Sequence, residues 1–183
     1  DQLDLVLVAT CTPERLCPAS ASTVQAALGA RRAAAFDLNA ACSGFVYALA
    51  TACQFIEAGR FNNILVVGSE VYSRILNWQD RSTCILFGDG AGAVVLQAST
   101  DGPGLLSLVL GSDGSGADLL YVPGPAGATD VHRNGYYLSM MGAEVFKFAV
   151  RTVCQASREV TQAAGIPLSD IELVIPHQAN QRI

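Results

Sequence analysis

The stretch Ala35-Phe36-Asp37-Leu38-Asn39-Ala40-Ala41-Cys42-Ser43-Gly44-Phe45 changes its structural period in the middle. Residues 35–40 are of strand length. From about residue 43 to 58, apolar Phe45, Leu49, Ala52, Cys53 and Ile56 share one helical face, and Gly59 supplies the stop. A strand therefore ends, small residues allow a sharp turn, and a helix starts at the cysteine. Backbone N–H groups and the helix dipole there favour negative charge. A thiol in such surroundings ionises more readily, and the thiolate is the nucleophilic form. Alanines and Gly44 leave space for the close approach of a reactant. A merely structural cysteine at a helix start is the plainer alternative, and this stretch alone does not choose between them.

Upstream, residues 3–10 are an apolar run of strand length, and residues 12–18 read as a loop. Ser20 or Ser22 could cap a short helix through Leu28, stopped by Gly29. Downstream, residues 64–68 predict a third strand. Alternation of strands and helices argues for an α/β fold with parallel βαβ crossovers. Residues 77–80 read as loop. Phe87-Gly88-Asp89-Gly90-Ala91-Gly92-Ala93 reads as a Gly/Ala turn feeding a strand at 94–96, with a pairing strand at 104–110. That run lacks both GxGxxG and a GK[ST] ending, so its glycines are assigned to tight packing beneath the cysteine. Residues 111–134 are rich in Gly, Pro, Asp and Ser and predict surface loop. A long amphipathic helix follows over 143–164, ended by Gly165 and Pro167. A last strand at 171–175 runs into Pro176-His177-Gln178-Ala179-Asn180. A histidine at the carboxyl end of a buried strand stands where open parallel sheets place their sites; a surface-loop histidine is the alternative. His132, in the polar loop, has no such setting.

Hydrophobic residues make up 51% of the 183 and charged ones 15%, which suits strands buried on both faces. No apolar run approaches the roughly 18 residues of a membrane-spanning helix, and no basic segment precedes an apolar start. The expectation is a soluble, cytoplasmic protein. Net charge is −5, with eleven Lys and Arg scattered among sixteen acids, so the basic stripe of a nucleic-acid binder is missing. A small local basic patch could still receive an acidic partner. Six cysteines without a CxxC pair, and two histidines without ligand spacing, suggest neither a disulfide framework nor a zinc site.

Taken together, these motifs resemble those of β-ketoacyl-acyl-carrier-protein synthase III, a thiolase-fold condensing enzyme. The resemblance is carried by Asp37-Leu38-Asn39-Ala40-Ala41-Cys42-Ser43-Gly44-Phe45-Val46-Tyr47-Ala48-Leu49, residues 64–70, Asp80-Arg81-Ser82-Thr83, and residues 87–93. Met141-Gly142-Ala143-Glu144-Val145-Phe146-Lys147 and Pro176-His177-Gln178-Ala179-Asn180-Gln181-Arg182-Ile183 extend it along essentially the whole chain.

The resemblance implies a layered α-β-α-β-α architecture, here incomplete at both ends. Residues 1–100 would be the latter part of a first thiolase-like half carrying the nucleophile. Residues 101–183 would begin a second half carrying the catalytic histidine. Cys42 would be the acylated nucleophile, its N–H part of an oxyanion hole, and His177 a stabiliser of the enolate from malonyl thioester. Arg81, Gly142 and Asn180 fall where relatives contact coenzyme A or its phosphopantetheine arm, and Phe87 lines the site. Lys147 and Arg182 match a basic rim for acyl carrier protein. Cys17 lies in the loop that, in relatives, crosses a homodimer into the partner's acyl pocket; its small side chain would leave room for a longer primer.

Acyl-CoA and malonyl carrier protein are the implied substrates, with no metal or redox cofactor. Relatives are longer at both ends and carry there the asparagine partner of the histidine, so these 183 residues alone are expected to be inactive. Two alternatives remain open. One is an acyltransferase or starter-unit synthase of secondary metabolism on the same fold. The other is a non-catalytic fragment or paralogue that pairs through the dimer surface.

Overall fold

β1 (Leu5–Ala9) is buried at every position because it is paired in parallel on both sides, with β2 (Ala34–Leu38) and β3 (Asn63–Val71). A strand covered on both faces needs an unbroken apolar run, and Leu-Val-Leu-Val-Ala is one. Its side chains alternate between two cores. Leu5, Leu7 and Ala9 pack with Ile64 and Val66 against Ala48 and Ala52 of α2 (Gly44–Glu57). Val6 and Val8 pack with Leu65 against Ala21 of α1 (Ser20–Ala27). Burying such an aliphatic side chain contributes about 1.5–3 kcal/mol, so this three-layered arrangement anchors everything attached to the strand ends.

The computed structural model describes residues 2–102, 104–124 and 136–179. They fall into two compact units, Asp1–Val71 with Asp89–Leu105, and Tyr72–Gly88 with Leu106–Ile183. In the first unit the sheet order is β2-β1-β3-β4, where β4 is Asp89–Gln97. β4 runs antiparallel to β3, from Asn63↔Gln97 to Val71↔Asp89.

This corrects two expectations. The Gly/Ala run from Asp89 onward is strand rather than turn, because a nine-residue ladder with β3 outweighs its poor strand propensity. Its glycines are not packed tightly either: a Cβ placed on Gly88, Gly90 or Gly92 meets nothing within 4 Å. The start of α1 differs as well. No side chain of Ser20 or Ser22 caps it; the Asp37 carboxylate on β2 accepts the N–H groups of Ser20 (2.7 Å) and Ala21 (2.8 Å) instead. Helix stops at Gly29 and Gly59 stand as expected, both at positive φ.

The second unit holds a 3-10 turn at Gly114–Leu119 capped by Asp113, a two-stranded ribbon of β5 (Leu120–Tyr121) and β6 (Ser139–Met140), and α3 (Gly142–Ala164). α3 ends at left-handed Gly165. The Ser107 hydroxyl donates to the Val160 carbonyl at 2.7 Å, laying residues near 107 along this helix. The strands expected at 104–110 and 171–175 are not formed. Both have apolar strand composition, but among the described residues neither has a neighbour to complete a ladder, and Leu173, Val174 and Ile175 are exposed. A strand is defined by its partner, so composition alone overreached.

Among the described residues no helix is long and apolar enough to cross a membrane.

Candidate functional site

Cys42 lies where the parallel strands of the first unit end side by side, with Ala9 level with Leu38 on one flank and Gly68 on the other. After β2 the Asn39 side-chain oxygen accepts the Ala41 N–H at 3.1 Å. Ala41 itself sits at φ +46, a left-handed conformation costly for a residue with a Cβ. The chain then closes a 3-10 turn at Ala41–Ser43, where the Ser43 N–H donates to the Ala40 carbonyl at 3.1 Å, and enters α2 at Gly44. A Cβ on Gly44 would stand 3.3 Å from the Ala9 Cβ, so glycine lets the first turn of α2 rest on the end of β1.

The thiol of Cys42 is thus exposed at the amino end of a 14-residue helix, behind a locally strained turn. Strain of this kind gathers where a side chain must be aimed. Cys53, on the same helix, contrasts with it: burial first, and the Glu57 carboxylate second, push its thiol above the ordinary range. Cys53 is therefore suited to packing, whereas Cys42 stands exposed at the helix start.

The same end of the sheet holds a carboxylate that sequence reading missed. Glu70, at the end of β3, accepts the Cys11 N–H at 2.9 Å together with the hydroxyls of Thr10 and Thr12. The Thr-Cys-Thr that follows β1, and a half-buried acid ending an apolar strand, were the only signals. Cys17 belongs to the exposed part of the loop between β1 and α1.

The remaining candidates belong to the second unit. Arg81 is exposed on a turn built by Asp80, whose carboxylate accepts the Ser82 hydroxyl at 2.6 Å and the Ser82 N–H at 2.9 Å. Those bonds, the hydroxyl first, hold the Asp80 carboxyl below the usual carboxylate range. Thr83 is buried and donates to the same carboxylate. The Phe87 ring stacks on Tyr72 with centroids 5.3 Å apart. Gly142 opens α3, and Lys147, one turn on, pairs with Glu144 at 2.8 Å. His177 is exposed in irregular chain, because the strand expected to carry it is absent. Asn180 and Arg182 lie outside the described residues. Among the described residues no cluster of three or more His, Cys, Asp or Glu could hold a metal ion.

The family model for 3-oxoacyl-[acyl-carrier-protein (ACP)] synthase III matches residues 36–114, which include the Cys42 turn. The β-ketoacyl-[acyl-carrier-protein] synthase III of Desulfitobacterium hafniense is 52% identical over 188 aligned residues, covering 100% of this chain and 57% of its own length. The crystal structure of 3-oxoacyl-[acyl-carrier-protein] synthase III from Aquifex aeolicus superposes with a TM-score of 0.90 at 46% identity, over 98% of this chain and 55% of that one. The priming β-ketosynthase of the R1128 polyketide pathway gives 0.92 at 38% identity, over 99% and 55%. The chain therefore spans a little over half the length of these relatives, and its fold is the thiolase-like α/β fold they share.

Proposed function

The chain belongs to the 3-oxoacyl-[acyl-carrier-protein] synthase III family, and from that premise we propose that it supplies the acyl-accepting cysteine of a decarboxylative condensing enzyme. In this reading the Cys42 thiolate attacks the carbonyl of an acyl-CoA, and coenzyme A leaves as its thiolate, which takes a proton from water. Malonyl carrier protein then loses carbon dioxide, and the resulting thioenolate carbon attacks the acyl-cysteine, expelling the Cys42 thiolate. His177 donates its Nε2–H to the enolate oxygen; losing such a donor typically costs about 10²–10³ in rate. The chemistry calls for no metal or redox group.

Residues 1–100 act as the nucleophile-bearing half and 101–183 as the start of the half bearing the histidine. Arg81, Phe87, Gly142 and Asn180 receive the coenzyme A or phosphopantetheine arm, and Cys17 reaches into the acyl pocket of the second copy in a homodimer. Lys147 and Arg182 meet the acidic carrier protein. The exposed Lys147–Glu144 pair is worth only about 0–1 kcal/mol, so Lys147 can exchange that partner for a carrier-protein acid. A cytoplasmic enzyme initiating fatty-acid synthesis fits this reading.

The exposed Cys42 behind the Ala41 turn carries the proposal. Intact-mass measurement of the natural protein after incubation with acetyl-CoA should show one acetyl group, located on Cys42 and absent in Cys42→Ser. An unmodified Cys42 would sink the reading and favour a non-catalytic role.

The likeness to the R1128 priming β-ketosynthase favours a second reading, a starter-unit synthase. Carbon dioxide release with malonyl carrier protein, compared across primers, separates the two.

A further inference from the structure

Two carboxylates clamp the loop between β1 and α1 at its two stems, each reaching in from a strand that flanks β1. At the first stem Glu70 of β3 binds the Cys11 N–H at 2.9 Å and the hydroxyls of Thr10 and Thr12. The network closes on itself: the Thr12 N–H donates to the Thr10 hydroxyl at 3.1 Å, and the Val71 N–H donates to the Thr12 hydroxyl at 2.8 Å. At the second stem Asp37 of β2 binds the Ser20 and Ala21 amides. Hydrogen bonds to an ionised acceptor are roughly twice as strong as neutral ones. Between the stems, Glu14 to Pro18 are exposed, Leu16 by 81%, and prolines at 13 and 18 restrict the backbone further.

We propose that Glu70, with Asp37 at the opposite stem, is a positioning residue that fixes where the loop presents Leu16 and Cys17, and thereby sets the length of acyl primer accepted. The inference rests on the reading of Cys17 as an acyl-pocket residue. A loop whose tip is exposed depends on its stems to hold its side chains in place. Both neighbouring strands supply an anion for that purpose. Replacing Glu70 removes the bonds that tie the Cys11 N–H and the Thr10 and Thr12 hydroxyls to β3, so the tip samples a wider range and discriminates chain length less sharply.

The test uses the intact natural protein and its Glu70→Gln, Glu70→Ala and Thr12→Val variants. Acylation of Cys42 is followed with acetyl-, butyryl-, hexanoyl- and octanoyl-CoA, and kcat/KM is compared across the series. The profile should flatten, the ratio between best and worst primer falling by about 10-fold in Glu70→Ala, the scale of one methylene contact, and by less in Thr12→Val. Asp4→Asn is the structural control: Asp4 ties the Asn62 and Asn63 amides at the opposite end of the sheet, so its loss should lower the unfolding midpoint without changing the profile. A parental profile in folded Glu70 variants, or an equal flattening in Asp4→Asn, overturns the proposal. If Glu70→Ala does not fold, Thr12→Val decides on the same criterion. A parent protein that takes no acyl group from any primer overturns the Cys42 reading, and this inference falls with it.

Discussion

Ala41 carries the local tension of the molecule. Its φ of +46 puts a Cβ where glycine is at ease, and the cost is about 1–2 kcal/mol. Asn39 offsets part of that by accepting the Ala41 N–H. The turn holds because β2 is fixed on one side and α2 on the other, so the strained residue between them has nowhere to relax. Ala41→Gly should therefore raise stability, by up to about 1 kcal/mol after the added chain entropy of glycine is deducted. Urea unfolding of the variant measures it, and a lower midpoint would show that the left-handed turn is not the conformation in solution.

At the scale of elements, the decisive contact is the seating of α2 on the end of β1. Phe45 packs over Gly68, where an added Cβ would stand 3.4 Å from its ring, and Gly44 lies over Ala9. In Gly44→Ala the new methyl would press on a central strand bound on both sides, which cannot yield. α2 would shift instead, and overpacking of this kind costs about 1–3 kcal/mol, more than the small helix-propensity gain at a first-turn position. Because Cys42 is two residues away, its alkylation by iodoacetamide should slow as well; an unchanged rate would show that the helix start does not aim the thiol. This strand–turn–helix was readable in the sequence because its signals are local: small residues, a change of period and a terminal glycine. α3 was readable for the same reason. β4 was not, since Gly-rich composition signals a turn until nine ladder pairs to β3 make it a strand. The runs at 104–110 and 171–175 failed in the opposite sense, being apolar enough for strands but lacking a neighbour among the described residues. Glu70 and the Asp37 cap depend on contacts between residues far apart in the chain, so local patterns give at most a faint hint of them.

Across the whole molecule, carboxylates accept backbone and side-chain hydrogen bonds that hold turns and strand ends in place. Asp4 joins the start of β1 to the start of β3 and is held below its ordinary value of 3.8, chiefly by the Asn63 and Asn62 amides. Asp80 and Asp113 are lowered in the same way, each by the hydroxyl and then the amide of a serine two residues on. A carboxyl whose folded-state pKa is depressed stabilises the fold fully above its unfolded pKa and loses that contribution as pH falls through the folded value. The sign is the same for all three, and they are shared between the two units. Stability should therefore be level from neutrality down toward about pH 5 and decline below about pH 4, where the unfolded chain binds more protons. Asp4→Asn should be less stable at neutral pH and show a shallower acid decline than the parent, because the group whose protonation drives part of that loss is gone. Urea midpoints measured across the acid range for both proteins decide it, and parallel curves would mean that the Asp4 bonds to Asn62 and Asn63 do not persist in solution.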